Sequence, residues 1–335
     1  MTIRVGVIGT GGIGTDHATK LATTISGSTV SAVTDVNRAR AEEVASRLEG
    51  ASVADDGLAL IRSDDVDAVL VTSIGETHAA FVLACIEVGK PVMCEKPLAP
   101  TTRECEQILA AEVAFGRRLV IVGYMRRYDP GYRQVKATLE GGTIGEPLIL
   151  HNIHRNPTVP ESFTSFMTMT DSMIHEVDTS RWLLGEEITA VQVIPPRRTP
   201  KAFAHLQDPQ FAVFTTESGI LSTVEFFANC QYGYDVRCEL VGTLGTASLT
   251  NPVTATTIAA GVEVQPVAPS WRVRFGDAYS AELQAWISGL QVGECVGPSA
   301  WEGYAATKVV EVGVEAISTG QRMPIELIEK PALYR

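Results

Sequence analysis

The sequence has no long apolar run, no low-complexity tract and no internal repeat. None of its apolar stretches approaches the ~18 residues that a membrane span requires. The first strand-like stretch, Ile3–Ile8, is not preceded by the basic and long apolar segments of a secretory signal. With 45% hydrophobic and 20% charged residues, the composition is that of a globular protein with an ample core. We therefore expect a soluble, cytoplasmic protein with no membrane partner.

Positive charge is also scarce. The chain has 27 Lys and Arg residues against 39 Asp and Glu residues, which gives a formal net charge of -12. Binding to nucleic-acid phosphates requires clustered basic residues, and the densest basic run here is only Arg126-Arg127. No nucleic-acid partner is predicted.

The cysteines and histidines lack the spacing of a metal site. No two of the six cysteines form a C-x-x-C pair, so neither a zinc cluster nor a disulfide framework is predicted. His151 and His154 have an H-x-x-H spacing, but they fall in a predicted strand, where residues three apart point to opposite faces. We predict no metal.

The first part of the chain alternates short apolar runs with amphipathic stretches. Continuous rather than alternating hydrophobicity in the runs indicates strands buried on both faces, as in a parallel sheet. Strand–helix–strand repetition of this kind is typical of a doubly wound α/β fold. The predicted strands are Ile3–Ile8, Thr29–Thr34, Val66–Val71, Pro91–Cys94 and Leu119–Val122, and the predicted helices include Ala39–Leu48, Thr77–Val88 and Thr102–Phe115.

The pattern changes after residue 123. Asp129-Pro130 is a typical helix start and Gly141-Gly142 a typical end, and later strands are separated by short turns that favour hairpins. The predicted strands are Leu148–Ile153, Ala190–Ile194, Phe211–Thr216, Ile220–Ala228, Tyr234–Val241 and Thr246–Leu249, and the predicted helices are Ser172–Leu184, Ala278–Leu290 and Trp301–Thr319. We expect a Rossmann domain over residues 1–123 and, over residues 124–335, an α+β domain with an open, mostly antiparallel sheet. An uncovered sheet face favours a homo-oligomer.

A glycine-rich turn follows the first predicted strand and opens a predicted helix. Its residues are Gly9-Thr10-Gly11-Gly12-Ile13-Gly14. In a dinucleotide-binding turn the first glycine permits the tight turn, the second lets the pyrophosphate approach, and the last allows close helix–strand packing. The helix N-terminus offers unpaired amides to the anion.

Asp35 ends the second predicted strand, 21 residues after Gly14. A carboxylate there accepts hydrogen bonds from the ribose hydroxyls and repels a 2′-phosphate, which favours NAD over NADP. Val36 lies beside it, and the guanidinium of Arg38 could offset the repulsion. Alternatively, Asp35 and Asn37 cap the next helix.

Ser73 and Ile74 follow the strand Val66–Val71, at the sheet edge where the nicotinamide half of the cofactor is expected. His78 lies just inside the next helix and is a further candidate cofactor residue. The alternative for His78 is a surface or capping histidine.

Lys96 lies at the end of a predicted strand, between Glu95 and Pro97. An ammonium held there could bind a reacting hydroxyl and stabilise a developing alkoxide. The alternative is a surface lysine in a turn, but the glycine fingerprint favours the functional interpretation.

Asp171, His175 and Asp178 are spaced i, i+4, i+7 and would share one face of a helix. Oxidation of an alcohol also requires removal of the hydroxyl proton, and an imidazole beside a carboxylate is suited to accept it. His175 is therefore the predicted general base. The alternative is an exposed helix that carries an ordinary Asp–His pair.

Several stretches together resemble the Gfo/Idh/MocA oxidoreductase family over essentially the whole chain. They are Val7–Gly11, Ala32–Asn37, Cys94–Leu98, Gly123–Asp129, His154–Val159, His175–Asp178, Tyr232–Asp235 and Gly297-Pro298. The lysine turn is typical of the family in general, whereas Met125–Tyr128 and His154–Val159 are similar to its inositol dehydrogenase branch.

The resemblance implies an NAD-dependent secondary-alcohol dehydrogenase, usually a homotetramer. Its implied reaction oxidises a cyclic polyol, myo-inositol to scyllo-inosose, and also D-chiro-inositol. The family's catalytic residues fall on Lys96, Asp171 and His175. Its polyol-binding residues fall on Arg127, His154, Asn156, Asp178 and Tyr234, with the hydroxyl of Ser172 in place of a threonine.

One departure concerns the substrate. Where inositol dehydrogenases of the family carry a tryptophan, this chain has Ile74, which removes an aromatic wall near the nicotinamide. Three alternatives stay open: a dehydrogenase of scyllo-inositol or a related sugar, a non-catalytic NAD-binding regulator, and a hydrolase that uses NAD for transient oxidation. Lys96 together with the Asp171–Asp178 face favours an enzyme over a regulator.

Overall fold

The computed structural model describes residues 1–249 and 255–335, which form two compact units. The first comprises Met1–Met125, Tyr279–Lys308 and Leu327–Arg335, and the second comprises Arg126–Ala278 and Val309–Glu326. Within the described ranges, no helix is long and apolar enough to cross a membrane.

The first unit contains a six-stranded sheet in the order β3-β2-β1-β4-β5-β6. All of its neighbouring strands are parallel. The strands are β1 (Ile3–Ile8), β2 (Ser28–Thr34), β3 (Ser52–Val53), β4 (Ala68–Val71), β5 (Val92–Glu95) and β6 (Val120–Gly123). Every residue of β4, β5 and β6 is buried, as expected for a parallel sheet covered on both faces. The predicted doubly wound fold is confirmed.

Helices connect these strands. They are α1 (Gly12–Thr23), α2 (Arg38–Ala45), α3 (Gly57–Arg62), α4 (His78–Glu87) and α5 (Thr102–Phe115). Local sequence sets the bounds of α5, because Thr101 and Glu104 form a reciprocal capping box and Gly116 ends the helix in the left-handed region with φ 86°.

The second unit contains a seven-stranded sheet in the order β12-β11-β7-β10-β9-β8-β15. Within it β7 and β10 are parallel, and the other neighbours are antiparallel, which confirms the mostly antiparallel sheet. The strands are β7 (Pro147–Arg155), β8 (Ile188–Ile194), β9 (Gln210–Thr216), β10 (Leu221–Phe227), β11 (Asp235–Gly242), β12 (Thr246–Leu249) and β15 (Met323–Pro324), and a separate hairpin is formed by β13 (Thr257–Ala259) and β14 (Val262–Val264).

The long sheet has two unlike faces. Residues alternate between buried and partly exposed along β9 and β10. The helix α7 (Ile174–Leu184) lies on the buried side, where Ser180 and Ser222 share a hydrogen bond of 2.8 Å. His154 is 3% exposed, whereas His151 is exposed. The two histidines therefore point to opposite faces, as the strand geometry predicts.

The remaining helices are α6 (Pro130–Glu140), α8 (Trp271–Gln291) and α9 (Ala300–Thr319). Asp129 caps α6 by accepting hydrogen bonds from the backbone N–H groups of Gly131 and Tyr132, with Pro130 in the first turn, so this predicted start is confirmed. The helix predicted at 172–184 instead begins with a π-helical segment, Thr168–Met173, before α7. The sequence pattern also did not reveal β3, α3, the β13–β14 hairpin or β15.

Candidate active site

The glycine turn between β1 and α1 leaves no space for side chains at two positions. Gly9 has φ 95°, and a Cβ there would lie 2.6 Å from the backbone nitrogen of Ser73. A Cβ on Gly14 would lie 2.0 Å from the carbonyl oxygen of Gly9 and 2.5 Å from Oγ1 of Thr72. These two glycines therefore let the turn and α1 pack directly against the end of β4.

Gly11 is different, because a Cβ there would meet only Nη1 of Arg40, at 3.9 Å. Gly11 precedes the first helical residues, Gly12 and Ile13, and no side chain caps this helix N-terminus. Open space beside uncapped amides is the arrangement that receives a pyrophosphate. The residues present therefore fit a dinucleotide.

A cavity of about 500 Å³ lies against this turn in the first unit. The predicted cofactor residues that line it are Gly9, Gly11, Asp35, Val36, Arg38, Ser73 and Ile74. The turn, the end of β2 and the loop after β4 thus bring residues from distant parts of the sequence to one site. Ile74 is 68% exposed there.

The Asp35 carboxylate is held in place by its neighbours. Oδ2 accepts hydrogen bonds from the backbone nitrogen and the hydroxyl of Thr10 at 2.7 and 3.0 Å, and Oδ1 accepts one from the nitrogen of Asn37 at 2.8 Å. Partial burial raises the pKa of Asp35, but these hydrogen bonds and the charge of Arg40 outweigh burial and lower it below its ordinary value. Asn37, rather than Asp35, caps α2. Asp35 is thus an ionised acceptor on the cavity wall.

Arg40, which is not among the predicted cofactor residues, is the arginine that pairs with Asp35. Its Nη1 lies 3.7 Å from Oδ2 of Asp35, whereas Arg38 pairs with Glu42 at 3.1 Å and Asp55 at 3.5 Å. The sequence signal that could have identified Arg40 is its position in the first turn of α2, because that turn lies close to the end of β2.

His78 is not on the surface. It is 2% exposed, with Nδ1 2.7 Å from the carbonyl oxygen of Pro97 and Nε2 3.1 Å from that of Ser73. The alternative of a surface histidine is therefore wrong. The ring connects the loop after β4 to the lysine turn.

The lysine turn follows β5. Oε1 of the buried Glu95 side chain lies 2.8 Å from Nε2 of His17, and Oε2 accepts a hydrogen bond from the Lys96 backbone nitrogen at 3.1 Å. Burial raises the pKa of Glu95, but the hydrogen bond from His17 and the electrostatic interactions with His17 and Lys96 outweigh it, so the pKa is lowered. The carboxylate stays ionised next to Lys96.

The predicted acid–base residues lie at the junction of the π-helical segment and α7 in the second unit. Asp171 is exposed and Ser172 is buried, both within the π segment. His175 lies in the first turn of α7 and is 9% exposed. Because α7 is almost wholly buried, the alternative of an exposed helix is wrong. Single π turns are frequent at functional sites.

Asp178, one turn further along, is held by Arg127. Nε and Nη2 of Arg127 donate to Oδ2 and Oδ1 of Asp178 at 3.0 and 2.6 Å, which is a bidentate pair. Asp178 is 1% exposed. These two predicted substrate residues therefore lie together.

His154 belongs to a buried polar cluster with Arg126, Glu176 and Tyr234. Arg126 pairs with Glu176, Nδ1 of His154 lies 3.2 Å from both Nη2 of Arg126 and Oε2 of Glu176, and its Nε2 lies 3.5 Å from the Tyr234 hydroxyl. Burial raises the pKa of Glu176, but the charge of Arg126 and the contacts with His154 outweigh it and lower the pKa to about 2.

Arg126 and Glu176 fall within the family-like stretches Gly123–Asp129 and His175–Asp178, but neither is among the predicted site residues. The sequence signal that could have identified them is their position, because Arg126 is next to the predicted residue Arg127 and Glu176 is next to the predicted residue His175. Asn156, also predicted, lies just beyond β7, and its backbone bonds to Phe227 at 2.9 Å and to Cys230 at 3.0 Å.

Two family models match most of the chain. The NAD-binding Rossmann domain of the Gfo/Idh/MocA oxidoreductase family matches residues 3–124, and the C-terminal alpha/beta domain of the same family matches residues 136–327. The match confirms the predicted family and NAD as the cofactor of the Rossmann domain.

Individual proteins resemble the chain over its full length. Inositol 2-dehydrogenase 3 of Saccharopolyspora erythraea is 52% identical over 334 residues, covering 100% of this chain and 98% of that protein. The crystal structure of myo-inositol dehydrogenase from Lactobacillus casei in complex with NAD(H) and myo-inositol is 35% identical, with full coverage of both chains and a TM-score of 0.97.

A structure of scyllo-inositol dehydrogenase from Lactobacillus casei, with NAD(H) and scyllo-inositol, is 25% identical with a TM-score of 0.89 and covers 97% of this chain and 99% of that one. The family models, the full-length similarity and the glycine turn on a parallel sheet agree. The chain belongs to the Gfo/Idh/MocA family of NAD-dependent oxidoreductases.

Proposed function

We propose that this protein oxidises one secondary hydroxyl of an inositol with NAD, and that its substrate is myo-inositol, converted to scyllo-inosose. D-chiro-inositol is a second proposed substrate. The observation that carries the proposal is the full-length similarity, with a TM-score of 0.97, to a protein whose structure holds NAD(H) and myo-inositol. Relatives named inositol 2-dehydrogenase at 48–52% identity support the same substrate class.

We assign cofactor binding to residues of the first unit. The glycine turn receives the pyrophosphate, Asp35 receives the ribose hydroxyls, and Ser73 and Ile74 flank the nicotinamide side. The nicotinamide side of the cofactor site is also formed by His78, Glu95, Lys96 and Pro97. NAD, when bound, supplies the hydride acceptor.

The proton chemistry is assigned to Lys96, His175 and Asp171. In this mechanism the Lys96 ammonium orients the reacting hydroxyl oxygen and stabilises negative charge that develops on it. His175 accepts the hydroxyl proton, and Asp171 stabilises the imidazolium that results. The low exposure of His175 supports this role, because a base shielded from bulk water keeps a defined orientation.

The remaining polyol hydroxyls are assigned to Arg127, Asp178, His154 and Tyr234, with Ser172 and Asn156. The Arg127–Asp178 pair and the His154–Tyr234 contact give rigid donors and acceptors. A site built from fixed polar groups discriminates strongly against a hydroxyl in the wrong position, because an unmatched hydroxyl leaves a buried partner unpaired.

We further propose that residues 1–123 and 124–335 act as the NAD-binding and the substrate-binding domain, and that the enzyme is a cytoplasmic homotetramer. The face of the second unit's sheet that carries His151 also carries Phe211, Val213 and Leu221, all of them partly exposed. Apolar side chains that are accessible on an open sheet face favour self-association. Light scattering coupled to gel filtration measures the mass, and a monomer at working concentration contradicts this assembly.

The function is tested by initial rates of NADH formation at alkaline pH. The panel holds myo-, D-chiro- and scyllo-inositol and D-glucose, each with NAD and then with NADP. The expected result is turnover of myo-inositol with NAD. Turnover of scyllo-inositol or glucose alone would agree with the proposed chemistry but contradict myo-inositol as the substrate. Ile74 would then be the first residue to test for the changed substrate preference. No turnover with any of the four would reject the proposed function.

A further inference from the structure

The turn that carries Lys96 is held on both sides by buried histidines from other elements of the first unit. His17, on α1, contacts the side chain of Glu95, and His78, on α4, contacts the carbonyl of Pro97. Both histidines are buried, at 0% and 2% exposure. The two contacts thus act on the residues immediately before and after Lys96.

The contact from α1 works through Glu95. His17 Nδ1 is buried and has no hydrogen-bond partner among the described residues, which leaves Nε2 as the nitrogen that donates to Oε1 of Glu95 over 2.8 Å. The second oxygen, Oε2, accepts the hydrogen bond from the Lys96 backbone nitrogen. His17 therefore orients the carboxylate that fixes the Lys96 backbone.

Space around Glu95 is restricted. A Cβ on Gly123 would lie 3.1 Å from the carboxyl carbon of Glu95, and the His17 ring packs against Tyr279 with ring centroids 5.3 Å apart. The carboxylate cannot easily move sideways to find another partner. Without an N–H at position 17, one oxygen of a buried anion loses its donor, which is costly.

The contact from α4 works through the backbone. The His78 ring lies between the carbonyl oxygens of Pro97 and Ser73. A neutral imidazole carries one N–H and can donate to only one of them at a time. The ring nevertheless keeps the lysine turn at a fixed distance from the loop that lines the cofactor cavity.

We propose that His17 and His78 are positioning residues for Lys96, which together fix the turn so that the ammonium meets the reacting hydroxyl in the productive orientation. The inference rests on the role given to Lys96 in the proposed function. A displacement of about 1 Å in such a group lowers turnover by roughly a hundredfold. Neither histidine touches the reacting atoms in this proposal.

The test compares four single variants, His17→Phe, His17→Gln, His78→Phe and His78→Gln, with Lys96→Ala. Phenylalanine keeps the ring but removes the donor, and glutamine restores one N–H. The readouts are kcat and KM for myo-inositol, the Kd of NAD for each protein, and the melting temperature. We expect each Phe variant to lower kcat about tenfold to a hundredfold and to raise the NAD Kd by a smaller factor, and each Gln variant to recover part of the loss in kcat.

Double variants separate positioning from a general structural role. If the histidines act through Lys96, adding either substitution to Lys96→Ala lowers the residual rate by less than about twofold. The inference is overturned if the histidine substitution lowers the rate as much in the Lys96→Ala background as in the wild type. It is also overturned if the substitution raises the NAD Kd by as large a factor as it lowers kcat. If a Phe variant does not fold, the same comparison is made with the Gln variant.

A substrate-free measurement keeps the inference distinct from the proposed function. The rate at which acetic anhydride modifies Lys96, read by peptide mass spectrometry, is expected to change at least threefold in the Phe variants, while the rate at exposed Lys201 stays constant. Unchanged Lys96 reactivity counts against the positioning role even if the polyol panel fails. Conversely, full activity of Lys96→Ala rejects the proposed mechanism and not the structural contacts.

Discussion

Individual polar side chains in this protein are fixed by short hydrogen bonds to neighbouring side chains and backbone groups. The Asp35 carboxylate is held by Thr10 and Asn37, and Asp178 is held by both ends of the Arg127 guanidinium. Side chains fixed in this way lose little entropy on binding a ligand, which is the benefit of a preorganised site. Substitutions of such residues therefore test most directly what each side chain contributes to binding and catalysis.

The first prediction concerns Lys96 and His175. We expect Lys96→Ala and His175→Ala each to lower kcat by about 10²-fold or more, because each removes a group that acts on the reacting hydroxyl, while the NAD Kd stays within about threefold of wild type. Steady-state kinetics and NAD titration measure this, with Lys201→Ala as the surface control. Near-normal turnover in either variant removes that residue from the mechanism.

The second prediction concerns cofactor choice. Asp35→Ser removes the anion that repels a 2′-phosphate and leaves Arg40, 3.7 Å away, without its carboxylate partner. We expect the KM for NAD to rise about tenfold and turnover with NADP to increase. Comparative kinetics with both cofactors test this, and Asp65→Ser, which changes an exposed carboxylate, should alter neither. An unchanged NAD/NADP ratio contradicts the assignment of Asp35.

At the scale of elements, the turn between β1 and α1 combines two different requirements for glycine. Gly14 lies where helix and strand backbones meet, whereas Gly11 faces open space at the helix N-terminus. The first requirement is structural and the second concerns the ligand. A sequence shows the same residue at both positions and does not distinguish them.

The third prediction separates these roles. Gly14→Ala forces a Cβ to within 2.0 Å of a carbonyl oxygen, so we expect it to lower the free energy of unfolding by about 1–3 kcal/mol or more. Gly11→Ala should change stability by less than about 0.5 kcal/mol but weaken NAD binding about tenfold or more, because the methyl group occupies the anion's space. Urea unfolding and NAD titration measure both. A stable Gly14→Ala protein, or a Gly11→Ala protein with normal NAD affinity, would refute the corresponding role.

At the scale of the whole molecule, each unit encloses charged groups as well as an apolar core. In the second unit, Arg126 and Glu176 are 1% and 0% exposed and form an ion pair. Such a pair contributes little net stability compared with apolar residues, but removing one partner leaves the other as an unpaired buried charge, which is strongly destabilising. The stability of the unit should therefore depend on the ionisation of Glu176.

The fourth prediction states this dependence. The pKa of Glu176 is lowered in the folded protein to about 2, from an ordinary 4.5, so its stabilisation is complete above pH 4.5 and is lost as the pH falls towards 2. Glu176→Gln should lower the free energy of unfolding at pH 7 by about 3–5 kcal/mol. The difference in the free energy of unfolding between Glu176→Gln and wild type should become smaller below pH 4.5.

Urea unfolding at a series of pH values measures the effect. Glu43→Gln is the matched control, because Glu43 forms an exposed pair with Arg47, and its effect should be small at every pH. A difference between Glu176→Gln and wild type that stays constant from pH 7 to pH 3 would show that the ionisation of Glu176 does not support the fold.

Features that depend on local patterns could be predicted from the sequence. Continuous apolar runs indicate a parallel sheet, glycines after the first strand indicate a dinucleotide turn, and Asp129-Pro130 marks the start of α6. Such signals are readable because each depends on residues within a few positions of one another. The resemblance to the Gfo/Idh/MocA family likewise rested on short motifs.

Contacts between residues far apart in the sequence could not be predicted from it and are seen in the folded structure alone. His17 reaches Glu95 across 78 positions and Arg126 reaches Glu176 across 50, while Arg40 rather than Arg38 faces Asp35. The π turn before His175 and the parallel pairing of β7 with β10 were equally hidden. These features arise from packing between elements, and the free energy of a buried polar contact depends on neighbours that sequence spacing does not reveal.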